Sequence, residues 1–442
     1  MSSDLSRRQF GVGLAAAAGV IVAPAVAGSG AKIVVIGGGA GGATVAGALK
    51  VQSPGLDVTL IEPQQQYTSC FFSNAYIGGL YDFAKLTHRY GGIAATGVHL
   101  VHDRAQSVDT SKKLVRLKSG KMLPYDRLVV APGIDFKWDA IEGYSPSVAE
   151  TMPHAWRGGE QTFTLRQRLE KMENGGTVVI AVPKMPYRCP PGPYERACVI
   201  ANYLRQAKPK SKLVILDAKM TFSKQAALQD AFKHYYKDII ELNLSNDIDD
   251  FTVTRVDPAD GEIRTKAGLT LKAALANIIP PQTAGAIARD AGLADPDWCP
   301  VDPDSFASTR ASDVYVLGDS AIANEMPKSA FSAHSQGLGV AARIIAELEM
   351  KRPDPGRYRN TCWSIVAPDD AIKIGADYAA GDLPGKIKGL VPSNAFVSKP
   401  GESAEERKAV YDEAFAWYPT LIGQIFKTGV KAGAPAKTGL AR

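Results

Sequence analysis

The sequence predicts an α/β fold made of two parallel βαβ domains and a smaller C-terminal α+β domain. Three observations carry that reading. A complete βαβ unit with a glycine cluster runs from Lys32 to Glu62, and a second unit with the same rhythm but no such cluster runs from Thr177 to Asp217. From Pro353 onward the composition turns proline-, glycine- and aromatic-rich, which marks a third region. At 442 residues, 45% hydrophobic and 22% charged, the chain is long enough for two or three domains with full cores. A net charge of +6 spread over that length is too thin to argue for a nucleic-acid partner.

In chain order, Ser6-Arg7-Arg8-Gln9-Phe10 precedes an alanine- and glycine-rich apolar run from Gly11 to Val22, then Pro24-Ala25-Val26-Ala27. Residues 1–27 read as a twin-arginine export signal with an A-x-A cleavage site. The run is too short and too weakly hydrophobic to span about 30 Å of hydrocarbon comfortably. That export route carries folded proteins, which is what a protein loaded with a cofactor before export requires. The expected location is therefore the periplasm, where disulfides persist.

In the first unit, Gly37, Gly39 and Gly42 hold the G-x-G-x-x-G positions. They supply the tight turn, the backbone approach to a pyrophosphate and close helix–strand packing. A helix from about Ala40 points its amide end at the phosphates. Glu62, 20 residues after Gly42 and at the end of the second strand, is placed to accept from ribose hydroxyls. These residues predict a Rossmann-like dinucleotide-binding domain, discontinuous over 29–142 and 284–352.

Beyond Glu62, Cys70 stands alone between polar turn residues and two aromatics, with no second cysteine within a hundred residues. A local dithiol is excluded, leaving a buried apolar thiol or a thiol near a cofactor edge. Tyr125 to Gly133 reads as a strand closing in Ala131-Pro132-Gly133, the exit from the first domain.

A second Rossmann-like domain is expected over 143–283. Its loop VPKMPYRCPPGPY has one glycine and five prolines, so it lacks the amides and the close approach of a phosphate cradle. A nicotinamide dinucleotide is not expected there. Cys189 precedes a helix N-terminus, where the dipole and Arg188 favour a thiolate. Glu195, at the helix start, is a candidate proton acceptor or an ordinary first-turn glutamate. The chain then returns to the first domain, where Val314 to Leu317 is a buried strand ending in Gly318-Asp319. Lys328 and Ser329 open a helix that runs to about Leu348.

Residues 353–442 form the third domain. Ala414, Phe415, Trp417, Tyr418, Leu421, Ile422, Ile425 and Phe426 make an apolar face at helical spacing, read as core or subunit contact rather than a helix resting on a membrane. From Lys427 a small basic tail is expected to be mobile. The five cysteines (Cys70, Cys189, Cys198, Cys299, Cys362) and six scattered histidines show no metal-ligand spacing, and no C-x-x-C-H for a haem is present. An odd cysteine count leaves at least one thiol free or modified.

The segments VVIGGGAGGATVA, YTSCFFSNAYIGG, YDRLVVAPG, YRCPPGPYERA, IIPPQTAGAIA, LGDSAIANEMPKSAFSAHSQG and NTCWSI closely resemble the flavoprotein subunit of flavocytochrome c sulfide dehydrogenase. This is a relative of sulfide:quinone oxidoreductases in the glutathione-reductase-like superfamily, and the likeness spans nearly the whole chain after residue 27. The resemblance implies that the dinucleotide is FAD, joined through the sulfur of Cys70 to the flavin 8α-methyl. It implies that Asp319 meets the ribityl chain or pyrophosphate, and that the helix start at Lys328 and Ser329 stabilises the reduced ring. Cys189 and Cys362 would form a redox-active disulfide, attacked by hydrosulfide to leave a persulfide, with Glu195 as proton acceptor. Cys299 fits a family segment without a redox role, and Cys198 is a departure best placed as a buried helix residue. A separate c-type cytochrome would take the electrons. The rival readings are a sulfide:quinone oxidoreductase, a non-catalytic electron-transfer or sulfur-carrier subunit, and an NADH-dependent disulfide reductase.

Overall fold

The computed structural model describes residues 30–428, apart from 245, 246 and 248. The expected export signal and the tail beyond Thr428 lie outside the described residues. The elements that build the site begin with β1 (Lys32–Ile36), α1 (Ala40–Gln52), β2 (Asp57–Ile61), α2 (Ser73–Ile77), β3 (His99–Val101) and β4 (Arg127–Val130). They continue with β5 (Thr177–Val182), α3 (Gly192–Ala207), β6 (Lys212–Asp217), α4 (Gln225–Tyr236), β7 (Ile240–Asn243), β8 (Leu275–Ile278) and β9 (Val314–Val316). The last are α5 (Ala330–Leu348), β10 (Arg357–Ala367), β11 (Asp370–Leu383), β12 (Ile387–Val397) and α6 (Ala404–Phe426).

The first sheet is parallel with the order β9-β4-β1-β2-β3. Its central strand, KIVVI, is a β-branched run buried from Ile33 to Ile36, as a strand covered on both faces must be. Helix α1 returns over it and is buried from Ala40 to Leu49 because its small residues let neighbours approach. A Cβ at Gly42 would sit 1.9 Å from the Gly37 carbonyl oxygen, so only glycine lets this helix close on its own turn. Against α1 lies α5, tied by a 2.8 Å hydrogen bond between the Thr44 hydroxyl and His334 Nδ1.

The second sheet, β7-β6-β5-β8, is also parallel and carries α3 and α4 as its crossovers. The chain crosses between the two sheets twice, and the crossing segments Ile134–Phe136 and Gln282–Ala284 pair antiparallel. In the third region, β10, β11 and β12 form an antiparallel sheet followed by α6. Helix α6 starts on a capping box, with Ser403 and Glu406 each satisfying the other's backbone amide. The two Rossmann-like domains and the C-terminal α+β domain are therefore present as expected.

The apolar face of α6 is covered by the chain itself. Tyr418, Leu421, Ile422, Ile425 and Phe426 are buried, Phe72 stacks on Tyr418 at 4.7 Å, and the Tyr418 hydroxyl bonds Ser69 Oγ at 2.6 Å. That is the core alternative among the readings of this face. No helix among the described residues is long and apolar enough to cross a membrane.

Candidate active site

One cavity joins all three regions and encloses about 1470 Å³ of empty space, open solvent at its mouth included. Its lining runs from the glycine turn of the first domain past Cys189 to Cys362 and Trp417, an extended course that suits a dinucleotide. Gly37, Gly39, Glu62 and Cys70 line it from the first domain, with Ala131, Gly133, Gly318, Asp319 and Ser329. Cys189 and Glu195 line it from the second domain and Cys362 from the third. Gly42 stays behind the turn, where its packing role places it.

The residues present fit FAD. A Cβ at Gly37 would lie 2.4 Å from the Ala131 carbonyl, whereas at Gly39 the nearest atom would be 3.7 Å away, leaving the backbone open for close approach. Glu62 projects its carboxylate to the same turn, accepting from the Gly38 amide at 2.8 Å and the Gln64 amide at 2.9 Å. Among the described residues, Asp319 Oδ1 is buried on the cavity wall with no partner, and Trp363 Nε1 and Trp417 Nε1 are likewise orphaned. An acceptor and two donors buried unpaired beside a cavity are what a polar ligand would satisfy. Glu62 and Asp319 would hold hydroxyls, and the N-terminal turn of α5 (Ser329, Ala330, Phe331) meets the other end of the cavity.

Cys189 sits at φ +57°, a left-handed conformation that its surroundings impose. Its amide donates to the Lys328 carbonyl at 2.8 Å, the Arg188 amide donates to Gln282 Oε1 at 2.9 Å, and Trp156 Nε1 donates to the Arg188 carbonyl at 3.0 Å. The thiolate expected of Cys189 is not what these surroundings favour. Burial pushes the thiol well above its ordinary range, with Cys362 and Glu195 adding to the rise. The Arg188 guanidinium turns instead to the Asp319 carboxylate and the Trp156 carbonyl. At the helix start the Gly192 amide is spent on the Cys189 carbonyl rather than its sulfur.

Glu195 is more than a first-turn glutamate. One oxygen accepts from Asn74 Nδ2 at 2.8 Å on α2, the other from the Ile365 amide at 2.9 Å on β10, so its carboxylate bridges all three regions. Burial raises its pKa, although both hydrogen bonds pull the other way. Cys362, three residues before Ile365, has its thiol raised by burial, opposed by Lys224 and by Asn360, whose amide lies 3.5 Å from the sulfur. All five cysteines are thiols in this structure, and Cys198 and Cys299 are fully buried away from the cavity.

Of the two residues expected at this helix start, Ser329 lines the cavity and Lys328 does not. Its ammonium donates to the Asp319 and Ala321 carbonyls and lies over the Trp298 ring at 3.9 Å, so the residue contributes only its own carbonyl, to Cys189. Ser329 caps α5 through the Ser332 amide and donates to Asn360 Oδ1 at 2.6 Å.

Three residues that sequence reasoning missed hold this arrangement. Buried Arg196 donates to Asn74 Oδ1, Asn277 Oδ1 and the His154 and Ala155 carbonyls, and it lies over the Trp156 ring at 4.7 Å. Asn74 is thereby fixed with its amide toward Glu195. Lys224, at the start of α4, reaches β10 and donates to the Cys362 carbonyl at 3.1 Å and Ser364 Oγ at 2.7 Å. Arg196 carried a faint signal as a charge on an otherwise apolar helix face; Asn74 and Lys224 carried none. Among the described residues no group of three metal-ligating side chains converges.

The family model for the central domain of the sulfide dehydrogenase (flavocytochrome c) flavoprotein chain matches residues 162–280. That for the flavin-binding domain of flavocytochrome c sulphide dehydrogenase matches 354–426, and the pyridine nucleotide-disulphide oxidoreductase model matches 31–180. The mitochondrial sulfide:quinone oxidoreductase of Dictyostelium discoideum is 23% identical over 301 residues, 65% of this chain and 65% of that one. This match thus spans just under two thirds of that relative's length. A flavocytochrome c sulfide dehydrogenase flavoprotein chain from Chlorobaculum thiosulfatiphilum is 48% identical over 44 residues, 10% of this chain and 92% of that sequence. Among solved structures, the sulfide:quinone oxidoreductase of Aquifex aeolicus superposes with a TM-score of 0.64 at 20% identity, covering 90% of this chain and 93% of that one, a likeness of fold. Taken with the glycine turn, the cavity and its cysteines, these matches give the chain a pyridine nucleotide-disulphide oxidoreductase region followed by regions like the central and flavin-binding domains of the flavocytochrome c sulfide dehydrogenase flavoprotein chain.

Proposed function

We propose that this protein oxidises hydrogen sulfide to sulfur or polysulfide and passes the electrons to a separate c-type cytochrome. The observation that carries the reading is the convergence of Cys189, Cys362 and Glu195, from two domains, on one wall of a cavity fitted to FAD. Bound FAD supplies the two-electron acceptor and the one-electron donor. Cys189 and Cys362, closed as a disulfide in the oxidised enzyme, take the attack of hydrosulfide, and one sulfur keeps a persulfide while the other leaves as thiolate. Glu195, buried and with a raised pKa, accepts the persulfide proton. Cys70 on the cavity wall is the proposed thioether to the flavin.

Export by the twin-arginine route to the periplasm is part of the proposal, on the Arg7-Arg8 segment, and so is a cytochrome partner, since the chain carries no haem-attachment motif. The quinone-using relatives favour a second reading, in which a quinone replaces the cytochrome. The experiment is anaerobic addition of sulfide to the purified holoprotein, followed by a c-type cytochrome or a short-chain quinone. Prompt flavin bleaching with reoxidation by cytochrome alone supports the proposal. Reoxidation by quinone alone replaces the acceptor, and a flavin that sulfide does not bleach refutes the enzyme reading.

A further inference from the structure

The ammonium of Lys224 is buried between the second and third regions, and its two hydrogen bonds go to uncharged oxygens, the Cys362 carbonyl and Ser364 Oγ. Among the described residues it makes no ion pair with a carboxylate. A buried cation without a counter-ion is costly to keep, and burial does pull this one down to about 8. The groups that oppose that pull are Cys362 first, then Glu195, Cys189 and Cys198. Cys198 faces the core and has no part in the cavity, and Glu195, held by the neutral donors Asn74 and Ile365, gives up its charge once it takes the proton. The Cys189–Cys362 pair is left as the place where a compensating negative charge can arise.

We propose that Lys224 is a positioning residue whose ammonium partners the thiolate released when the Cys189–Cys362 pair is opened. The inference rests on the reading above, in which hydrosulfide opens that pair. In that step the S–S bond breaks and a new S–S bond forms to the incoming sulfur. The electron pair and the single negative charge of hydrosulfide pass to the leaving thiolate, and the persulfide proton goes to Glu195. No net oxidation occurs, but a charge that entered from solvent now rests on a buried sulfur. The groups facing the pair are Lys224, Glu195, Cys70, Asn360 and Ser329, with Arg188 and Arg196 on the Cys189 side; of these cations Lys224 is the one that faces both sulfurs.

The test is the pH dependence of iodoacetamide alkylation at Cys189 and Cys362 in the reduced holoprotein, read by peptide mass, for wild type, K224M and K224R. K224M is expected to raise the thiolate midpoint by about one pH unit or more, which slows alkylation about tenfold below the midpoint, and K224R is expected to restore it. Loss of a mere strut would not move that midpoint in a variant that keeps its flavin and its circular dichroism. An unchanged midpoint in folded K224M overturns the proposal. If K224M does not fold, K224Q carries the same comparison, with the same outcome refuting. Alkylation requires no turnover, so a protein that fails to oxidise sulfide would refute the function while leaving the role of Lys224 readable.

Discussion

Replacing Glu195 by glutamine separates its charge from its shape. Both partners of the carboxylate are donors: the Ile365 amide at 2.9 Å is backbone, and the Asn74 side chain cannot turn over because its Oδ1 is held by Arg196 at 3.0 Å. A glutamine oxygen can serve only one of them, and its NH2 is left facing the other N–H. An unsatisfied buried donor costs about 1–3 kcal/mol, part of which is returned because a desolvated carboxylate is no longer present. Stability should therefore change little at neutral pH, but its pH dependence should change in sign-specific fashion. The raised pKa means that the native state binds the proton more tightly than the unfolded chain, so wild type loses stability as pH rises from about 4.5 through the raised value, and E195Q lacks that loss. Activity is the sharper readout. Loss of a proton acceptor lowers the rate by about 10²–10⁴, and the acid limb of the pH–rate profile assigned to Glu195 should vanish. Stopped-flow bleaching of the flavin by sulfide measures both. An E195Q protein that keeps a tenth of the wild-type rate with the same profile would show that Glu195 is a bridge between domains and not a proton acceptor.

C70S should fold and retain flavin that is released on acid denaturation, whereas wild type keeps its flavin on the peptide; free flavin from wild type refutes the thioether. G42A must push its methyl into the Gly37 carbonyl, 1.9 Å from the ideal Cβ position, so a loss of about 1–3 kcal/mol and of flavin content is expected in thermal unfolding of the purified variant. Burial depresses His88 to about 4, His154 to about 3 and His334 to about 4, so the native state binds fewer protons than the unfolded chain below about 6.5. Stability should fall as pH drops through that window, and a urea midpoint equal at mildly acidic and neutral pH would contradict it.

The parts of the site that local chemistry dictates were legible before folding. The glycine turn is written in consecutive residues, since Gly37 and Gly42 meet each other across it, and Glu62 follows on the next strand. The proline-rich loop before α3 shows in the sequence itself that its prolines bring no amide N–H. Charge states were not legible, because they depend on what distant segments bring. Arg188 precedes Cys189 in sequence but turns away to Asp319, which is 131 residues on, and Lys328 turns its ammonium to backbone carbonyls instead of the cavity. Neighbours in sequence share a backbone and need not share an environment. Asn74, Arg196 and Lys224 were missed for the same reason, as each acts on a group from another domain.

Those long-range partners also explain why the site lies where it does. Glu195 receives one hydrogen bond from α2 and one from β10, Lys224 reaches from the start of α4 to the backbone of Cys362, and the Asn360 side chain joins Ser329 to the Cys362 sulfur. Three of these contacts, Glu195–Ile365, Lys224–Cys362 and Ser329–Asn360, also dock the C-terminal sheet on the two Rossmann-like domains. A covalent bond between Cys189 and Cys362 would add a further tie between the same two segments, so opening it exchanges a covalent link for a buried charge held among hydrogen bonds already in place. Under the proposed function, the sheet would stay docked while that pair opens and closes, and the cavity would keep its walls.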